Sequence, residues 1–224
     1  MVMTALKVAH APNEYISCND HTCVMNGLVF YIGLGLGLAL AAGVRPFLPA
    51  LLAGALASSG VLGVSFARGA YTFLYSDWWL AAVAAALALA YLLQLRLGSE
   101  RFEAGRPAAA LAGIGVGIGA LLFAGTLAAH GDAAWPGLIG GAAGAALAQA
   151  VVRPLAARTR TRLPDRGARE AVTIYLDSVS LVLGALVALL HPLGYVAVVP
   201  FAWLWLRMRA RSSEKHAGLR ILRR

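Results

Sequence analysis

The chain has few charged residues. Only 13% of its 224 residues are charged, whereas 60% are hydrophobic. A soluble domain cannot cover that much apolar surface, so the composition argues against one and indicates a membrane protein. Acidic residues are the scarcer kind, and the net charge is +9. The arginines gather at 96–106, 158–169 and 207–224, which is typical of cytoplasmic loops and of attraction to anionic lipid.

Several motifs of known chemistry are also missing. No groove-reading motif accompanies the basic segments, so we expect no nucleic-acid partner. The chain has no H-E-x-x-H, no nucleophile elbow and no P-loop, and two aspartates alone are a weak signature of intramembrane catalysis. Cys18 and Cys23, with one or two nearby histidines, supply too few ligands for a zinc site. We therefore expect no metal and no cofactor, and nothing specific favours an enzyme.

Apolar runs fill most of the chain after residue 26. A spanning helix needs about 20 such residues. The sequence predicts an all-α integral membrane protein with six spans: 28–45 with an apolar continuation to 56, 78–97, 108–129, 136–157, 171–190 and 194–207. It leaves open whether 50–60 crosses, re-enters or lies flat. The predicted parts are a polar tail (1–26), two membrane parts (27–107 and 108–207) and a basic tail (208–224). Arginine placement predicts both termini on the cytoplasmic side of a bacterial inner membrane.

Two stretches share one pattern. In both 33–49 and 141–154, a helix rich in small residues runs into an Arg-Pro pair, Arg45-Pro46 or Arg153-Pro154. A Tyr-x-Asp triplet ends at Asp77 in the first copy and at Asp177 in the second. With three helices per copy, the predicted topology makes the copies antiparallel. The pattern therefore predicts two inverted three-helix repeats, as found in secondary transporters. Chance similarity between helices rich in alanine and glycine is the alternative.

Small residues four apart give smooth helix faces. Gly33, Gly37 and Ala41 share a face with Arg45, and Gly141 and Ala145 share one with Gln149 and Arg153. Such faces allow close helix packing in lipid, where little hydrophobic force holds helices together.

The candidate site residues are Arg45, Arg153, Asp77, Asp177 and Gln149. An arginine inside a span costs about 3 kcal/mol unless it reaches water, a headgroup or a partner. One interpretation is that both arginines snorkel to the headgroups, with Arg45 towards the outer face and Arg153 towards the inner one.

In the other interpretation the two arginines mark the ends of one pathway or clamp an anionic group. Helix breaks predicted at Pro46, Pro49 and Pro154 favour it, because a broken helix at membrane depth needs a cavity or protein around it. The aspartates are then the partners of the arginines, although Asp77 also fits a helix N-cap.

The motif Gly43-Val-Arg-Pro-Phe-Leu-Pro49, after the Gly-Leu helix, resembles a bacterial membrane-protein family described only as a domain of unknown function. The likeness covers roughly 33–190. It differs in the span 78–97, which lacks the acidic residue expected in that family. The resemblance implies a membrane location and a compact multi-helix fold, and no activity.

Two functions compete at this stage. The first is a small carrier or channel-like transporter for an anionic or phosphate-bearing solute or lipid. The second is a non-catalytic membrane scaffold or accessory subunit. Anionic membrane lipids are the expected partners, and a homo-oligomer or another membrane protein is the alternative.

Overall fold

The computed structural model describes residues 20–60, 64, 66, 69–97 and 106–221, with the side chains of all but 20–26, 106, 166 and 211–221. Within these residues the chain is entirely helical, which confirms the all-α class. The elements are α1 (Asp20–Val44), α2 (Phe47–Ser59), a 3-10 helix (Gly69–Tyr75), α3 (Asp77–Leu97), α4 (Arg106–Ala129), α5 (Ala134–Arg162), α6 (Arg166–Leu189) and α7 (Leu193–Ile221). Residues 1–19 of the predicted polar tail, including Cys18, lie outside the described residues. The last seven residues of that tail, 20–26, belong to α1.

Five helices are long and apolar enough to cross a membrane. Their spans are Gly27–Val44, Asp77–Arg96, Pro107–Ala129, Ala134–Arg162 and Gly167–Leu189. At about 1.5 Å per residue, about 20 residues cover the hydrocarbon thickness. The chain is therefore a multi-pass membrane protein by length and composition. The sixth predicted span, 194–207, lies within α7, which is helical but is not among these five.

The first span ends at its Arg-Pro pair. The N–H of Arg45 still donates to the carbonyl of Ala41 at 3.1 Å, and α1 ends at Val44. Pro46 has no N–H to continue the ladder and becomes the N-cap of α2. Helix α2 has only 13 residues, too few to cross the membrane, and ends at Ser59, with Gly60 as its C-cap in the left-handed conformation.

Helix α2 turns back along α1. A Cβ on Gly184 of α6 would touch both Ala41 and Leu52, so these residues of α1 and α2 lie at the same level. Further along, Gly54 lies against Leu80 near the start of α3. The apolar segment after Pro46 is therefore a half-length return towards the start of α1.

The first helix lies at the centre of the bundle. It packs against α2, α4, α5, α6 and α7, and its Leu34, Leu38 and Ala42 are fully buried. Its beginning meets the connections between the later helices, because Tyr31 stacks on His130 and a Cβ on Gly33 would touch the carbonyl of His191.

The two helices with matched Arg-Pro pairs are parallel. Gly119 of α4 lies against Ala39 of α1 and Ala145 of α5, while Gly115, one turn earlier, lies against Ala42 and Gln149. Both partners therefore run opposite to α4 and in the same direction as each other. The predicted inverted repeat required them to be antiparallel, so that prediction is wrong for the described helices.

The return of α2 explains why α1 and α5 are parallel and not antiparallel as predicted. It makes α3 begin at the same end as α1 and reverses the direction of every later helix relative to the prediction. The described part of the chain accordingly begins at one end of the bundle and ends at the other. The predicted topology placed both termini on one side, so that part of it does not fit these helices.

Candidate functional site

A cavity of about 680 Å³ lies where α1 ends at its Arg-Pro pair. We call it the arginine cavity. Its walls come from the α1–α2 junction and from α3, α4, α5 and α6. Its charged and polar lining residues are Arg45, Tyr91, Gln94, Gln149, Arg153, Arg160, Thr161 and Asp177, and its larger apolar ones are Val44, Phe47, Leu48, Leu87, Leu111, Val152 and Leu176. It therefore combines a cationic part with an apolar part.

One wall carries an ion pair between α1 and α6. Arg45 Nε lies 2.8 Å from Asp177 Oδ1, and the two side chains are 19% and 14% exposed. The hydroxyl of Tyr91 on α3 donates to the other carboxylate oxygen, Oδ2. Ser180, one turn after the aspartate, donates to the carbonyls of Ala41 (3.0 Å) and Arg45 (3.4 Å), which fixes α6 against the end of α1.

The second predicted arginine lies on another wall of the same cavity. Arg153 is exposed, and its guanidinium donates to the carbonyl of Ala108 at the start of α4. Gln149, one turn earlier on α5, donates to the carbonyl of Ala112 at 3.0 Å. The predicted faces therefore do pack closely. The α5 face meets α4, whereas the α1 face meets α6 and α7 through Gly33, Gly37, Ala41 and Arg45.

The cavity also contains a third arginine, Arg160, which the sequence analysis did not identify as a site residue. Arg160 is only 7% exposed and donates to Thr173 Oγ1 at 3.0 Å. The amide of Gln94 on α3 donates to the same hydroxyl at 3.3 Å. Sequence reasoning had assigned Arg160 to the loop 158–169, although it lies two turns after Arg153, on the same side of one helix. That spacing was the signal that could have identified it.

The positive charges of the cavity are close together. Arg45 and Arg160 line the same cavity, and Arg153 lies on the same helix as Arg160, about 10 Å along its axis. Among the lining residues that the structure describes, Asp177 is the only carboxylate. Within this described lining, three guanidinium groups therefore share the cavity with one carboxylate.

Asp77, also predicted as a site residue, lies elsewhere. It is exposed at the first position of α3, about 21 Å along that helix from Tyr91. The N-cap role belongs to its neighbour, because the hydroxyl of Ser76 accepts the N–H of Trp79. The structure therefore brings together Arg45, Arg153, Asp177 and Gln149, and separates Asp77 from them.

The three predicted helix breaks have different outcomes. Pro46 separates α1 from α2, so a break is present there. Pro49 lies in the first turn of α2, where the N–H that proline lacks would have no helical partner. Pro154 lies inside α5, which continues to Arg162, so the break predicted there is wrong.

No protein-family model, curated protein or solved structure matches the chain. The resemblance of 33–190 to a bacterial membrane family therefore stays a prediction. Among the residues that the structure describes, no group of three or more His, Cys, Asp or Glu side chains is placed to hold a metal ion.

Proposed function

We propose that the protein is a membrane carrier that binds the anionic group of a phosphate-bearing solute or lipid in the arginine cavity. The observation that carries this proposal is that three arginine side chains from two helix regions line one cavity, beside a single carboxylate among the described lining residues. Charged groups at membrane depth are costly and mark ligand or ion pathways more often than packing. A guanidinium suits this ligand because its planar fork gives two parallel hydrogen bonds to phosphate oxygens.

The start of α2 adds donors to the same site. Phe47 and Leu48 line the cavity, and no side chain caps this helix. The first N–H groups of a helix lack helical partners and carry the positive end of its dipole. An anion next to Arg45 would therefore also meet the N-terminal end of a helix, which favours negative charge.

The distribution of arginine supports an orientation. Arg96, Arg158, Arg162, Arg169 and Arg207 lie at the cavity end, and the described residues of the opposite end include no lysine or arginine. By the positive-inside rule, the arginine cavity then lies towards the cytoplasm of a bacterial inner membrane and α1 begins on the other side. In this arrangement α7 supplies the sixth span, and α2 stays within one half of the membrane. The carrier proposal does not depend on an inverted repeat.

A binding measurement tests the anion site. Two probes share one phosphodiester: dimethyl phosphate as a free solute, and phosphatidylglycerol as a lipid, with phosphatidylcholine as the lipid of no net charge. We expect the purified protein in detergent micelles to bind at least one of them. Arg45→Gln and Arg153→Gln should each weaken binding about ten-fold or more. Arg207→Gln is the matched control, because that guanidinium lies over the Trp203 ring and does not line the cavity.

The two arms identify the source of the anion. Binding of dimethyl phosphate indicates a solute, and binding of phosphatidylglycerol alone indicates a lipid that also uses the apolar wall. Uptake of the bound probe into proteoliposomes then tests the carrier function. The proposal is wrong if neither probe binds above the phosphatidylcholine level, or if binding survives both cavity substitutions.

An exposed surface favours a second function, that of a membrane scaffold. A Cβ on Gly113 or Gly117 of α4 would meet no other atom within 4 Å, so a smooth strip of this helix faces outwards. Small residues of this kind let two helices approach closely in lipid. If the protein purifies alone and monodisperse, and Gly113→Leu leaves its mass in micelles unchanged, the scaffold function is contradicted.

A further inference from the structure

We propose that Asp177 couples proton uptake to anion binding, so that a proton is the second substrate of the arginine cavity. The inference rests on the proposed anion-binding function. Without a bound anion, the ionised carboxylate of Asp177 forms an ion pair with Arg45. When an anion takes the place of the carboxylate at the guanidinium, Asp177 takes up a proton from the surrounding solution, delivered as hydronium and leaving neutral water.

The geometry makes Asp177 an internal competitor. Its Oδ1 lies 2.8 Å from Arg45 Nε, in a cavity that an external anion would share. An anion that takes the Nε hydrogen of Arg45 displaces the carboxylate from it. An ionised aspartate next to a bound anion would also repel it, and the low dielectric of the site strengthens this repulsion. Protonation removes both the competition and the repulsion.

The other ionisable groups around Asp177 do not replace it as the proton acceptor. They are Arg45 from α1, Tyr91 from α3, and Arg153 and Arg160 from α5. Arginine stays protonated in proteins, and a tyrosine hydroxyl is already protonated at neutral pH. Helix α2 has no ionisable side chain, and none of the described α7 side chains, up to residue 210, lines the cavity. Among the described lining residues, Asp177 is thus the one carboxylate that could accept the proton.

The charges of the step balance. The hydrogen bond from Arg45 Nε to Asp177 Oδ1 breaks, and the guanidinium donates a hydrogen bond to an oxygen of the anion instead. The released Oδ1 receives the proton, while the Tyr91 hydroxyl continues to donate to Oδ2. One proton and one monoanion enter together, so the net charge of the cavity is the same before and after binding.

The pH dependence of binding tests this coupling. Dimethyl phosphate and phosphatidylglycerol suit the test because each phosphodiester keeps a single negative charge across the range. For the wild type in detergent micelles, we expect affinity to rise at least about five-fold from about pH 8 to about pH 4. In a weakly buffered solution, adding the anion should cause uptake of up to one proton per anion bound.

Asp177→Asn keeps the size of the side chain and removes its charge. At about pH 8 it should bind the anion at least about five-fold more tightly than the wild type, with no pH dependence and no proton uptake. Asp132→Asn, which changes a carboxylate in the loop between α4 and α5, should behave as the wild type. If Asp177→Asn does not fold, proton uptake by the wild type decides alone.

Two failures are distinguishable. If the wild type binds the anion with no pH dependence and no proton uptake, the coupling is wrong while the anion site stands. The coupling is equally wrong if Asp177→Asn keeps the pH dependence of the wild type. If neither protein binds either probe at any pH, the anion-binding function itself fails.

Discussion

The two Arg-Pro pairs have the same sequence and different structures. Arg45-Pro46 ends α1 and starts a helix that turns back, whereas Arg153-Pro154 lies inside the unbroken α5. Arg45 pairs with a carboxylate of another helix, whereas Arg153 donates to a backbone carbonyl. The dipeptide alone therefore decides neither the backbone nor the role of its arginine.

A second proline accounts for the difference in backbone. An interior proline costs about 3 kcal/mol, because it removes one hydrogen bond and crowds the preceding turn. If α1 continued past Arg45, Pro46 and Pro49 would impose that cost twice within one turn. When a new helix starts at Phe47, both prolines occupy positions whose N–H groups are not needed. After Arg153 there is only one proline, and close packing of α5 on α4 offsets its cost.

The largest expected difference concerns the stability contributed by the two arginines. Arg45→Leu leaves Asp177 without its ionic partner at membrane depth and should lower the free energy of unfolding by about 3 kcal/mol. Arg153→Leu removes one hydrogen bond of an exposed side chain and should cost less than about 1.5 kcal/mol. Unfolding in mixed detergent micelles measures both values.

A double-mutant cycle is the control for this prediction. Arg45→Leu combined with Asp177→Leu removes both charges, so the double variant should lose less stability than the sum of the two single variants. Additive losses would show that the ion pair seen in the structure does not stabilise the protein. Equal losses for Arg45→Leu and Arg153→Leu would remove the distinction between the two pairs.

Much of the fold was predictable because it depends on local composition. Five apolar runs gave the five spans, and the spacing of Gly33, Gly37 and Ala41 gave a packing face. The direction of the helices was not predictable in the same way. Whether the apolar segment after Pro46 crosses or returns depends on contacts with α3 and α6, which lie far away in the sequence. Because the return of α2 was not predicted, the predicted direction of every later helix was reversed.

The site shows the same division. Four of the five predicted site residues lie together because arginine, aspartate and glutamine inside apolar helices need polar surroundings, wherever the helices run. Asp77 was predicted as a site residue because it ends the same Tyr-x-Asp pattern as Asp177. The two copies have different positions, since Asp77 starts α3 whereas Asp177 lies in the middle of α6. Tyr91 and Gln94 were not identified, since single polar residues near a helix end are also typical of membrane interfaces.

The prolines give a smaller difference of opposite sign. Pro154→Leu allows residue 154 to donate to the carbonyl of residue 150, so it should stabilise the protein by about 1.5 kcal/mol through one net hydrogen bond and less crowding of the preceding turn. Pro46→Leu acts at a helix N-cap that makes no side-chain bond and should change stability by less than about 0.5 kcal/mol. Thermal unfolding in micelles compares the two variants. A stabilising Pro46→Leu with a neutral Pro154→Leu would mean that α1, and not α5, is the strained helix.

The smallest difference concerns what holds each arginine in place. Arg153 is held by its own bond to α4, whereas the end of α1 at Arg45 is held by the buried hydroxyl of Ser180. Ser180→Ala should therefore cost about 1 kcal/mol, the value of one hydrogen bond. Ser178→Ala is the matched control on the same helix, because that exposed hydroxyl bonds only to the carbonyl of Ile174 and should cost less than about 0.5 kcal/mol. Equal effects in urea or detergent unfolding would show that the hydroxyl of Ser180 does not fix α6 to the end of α1.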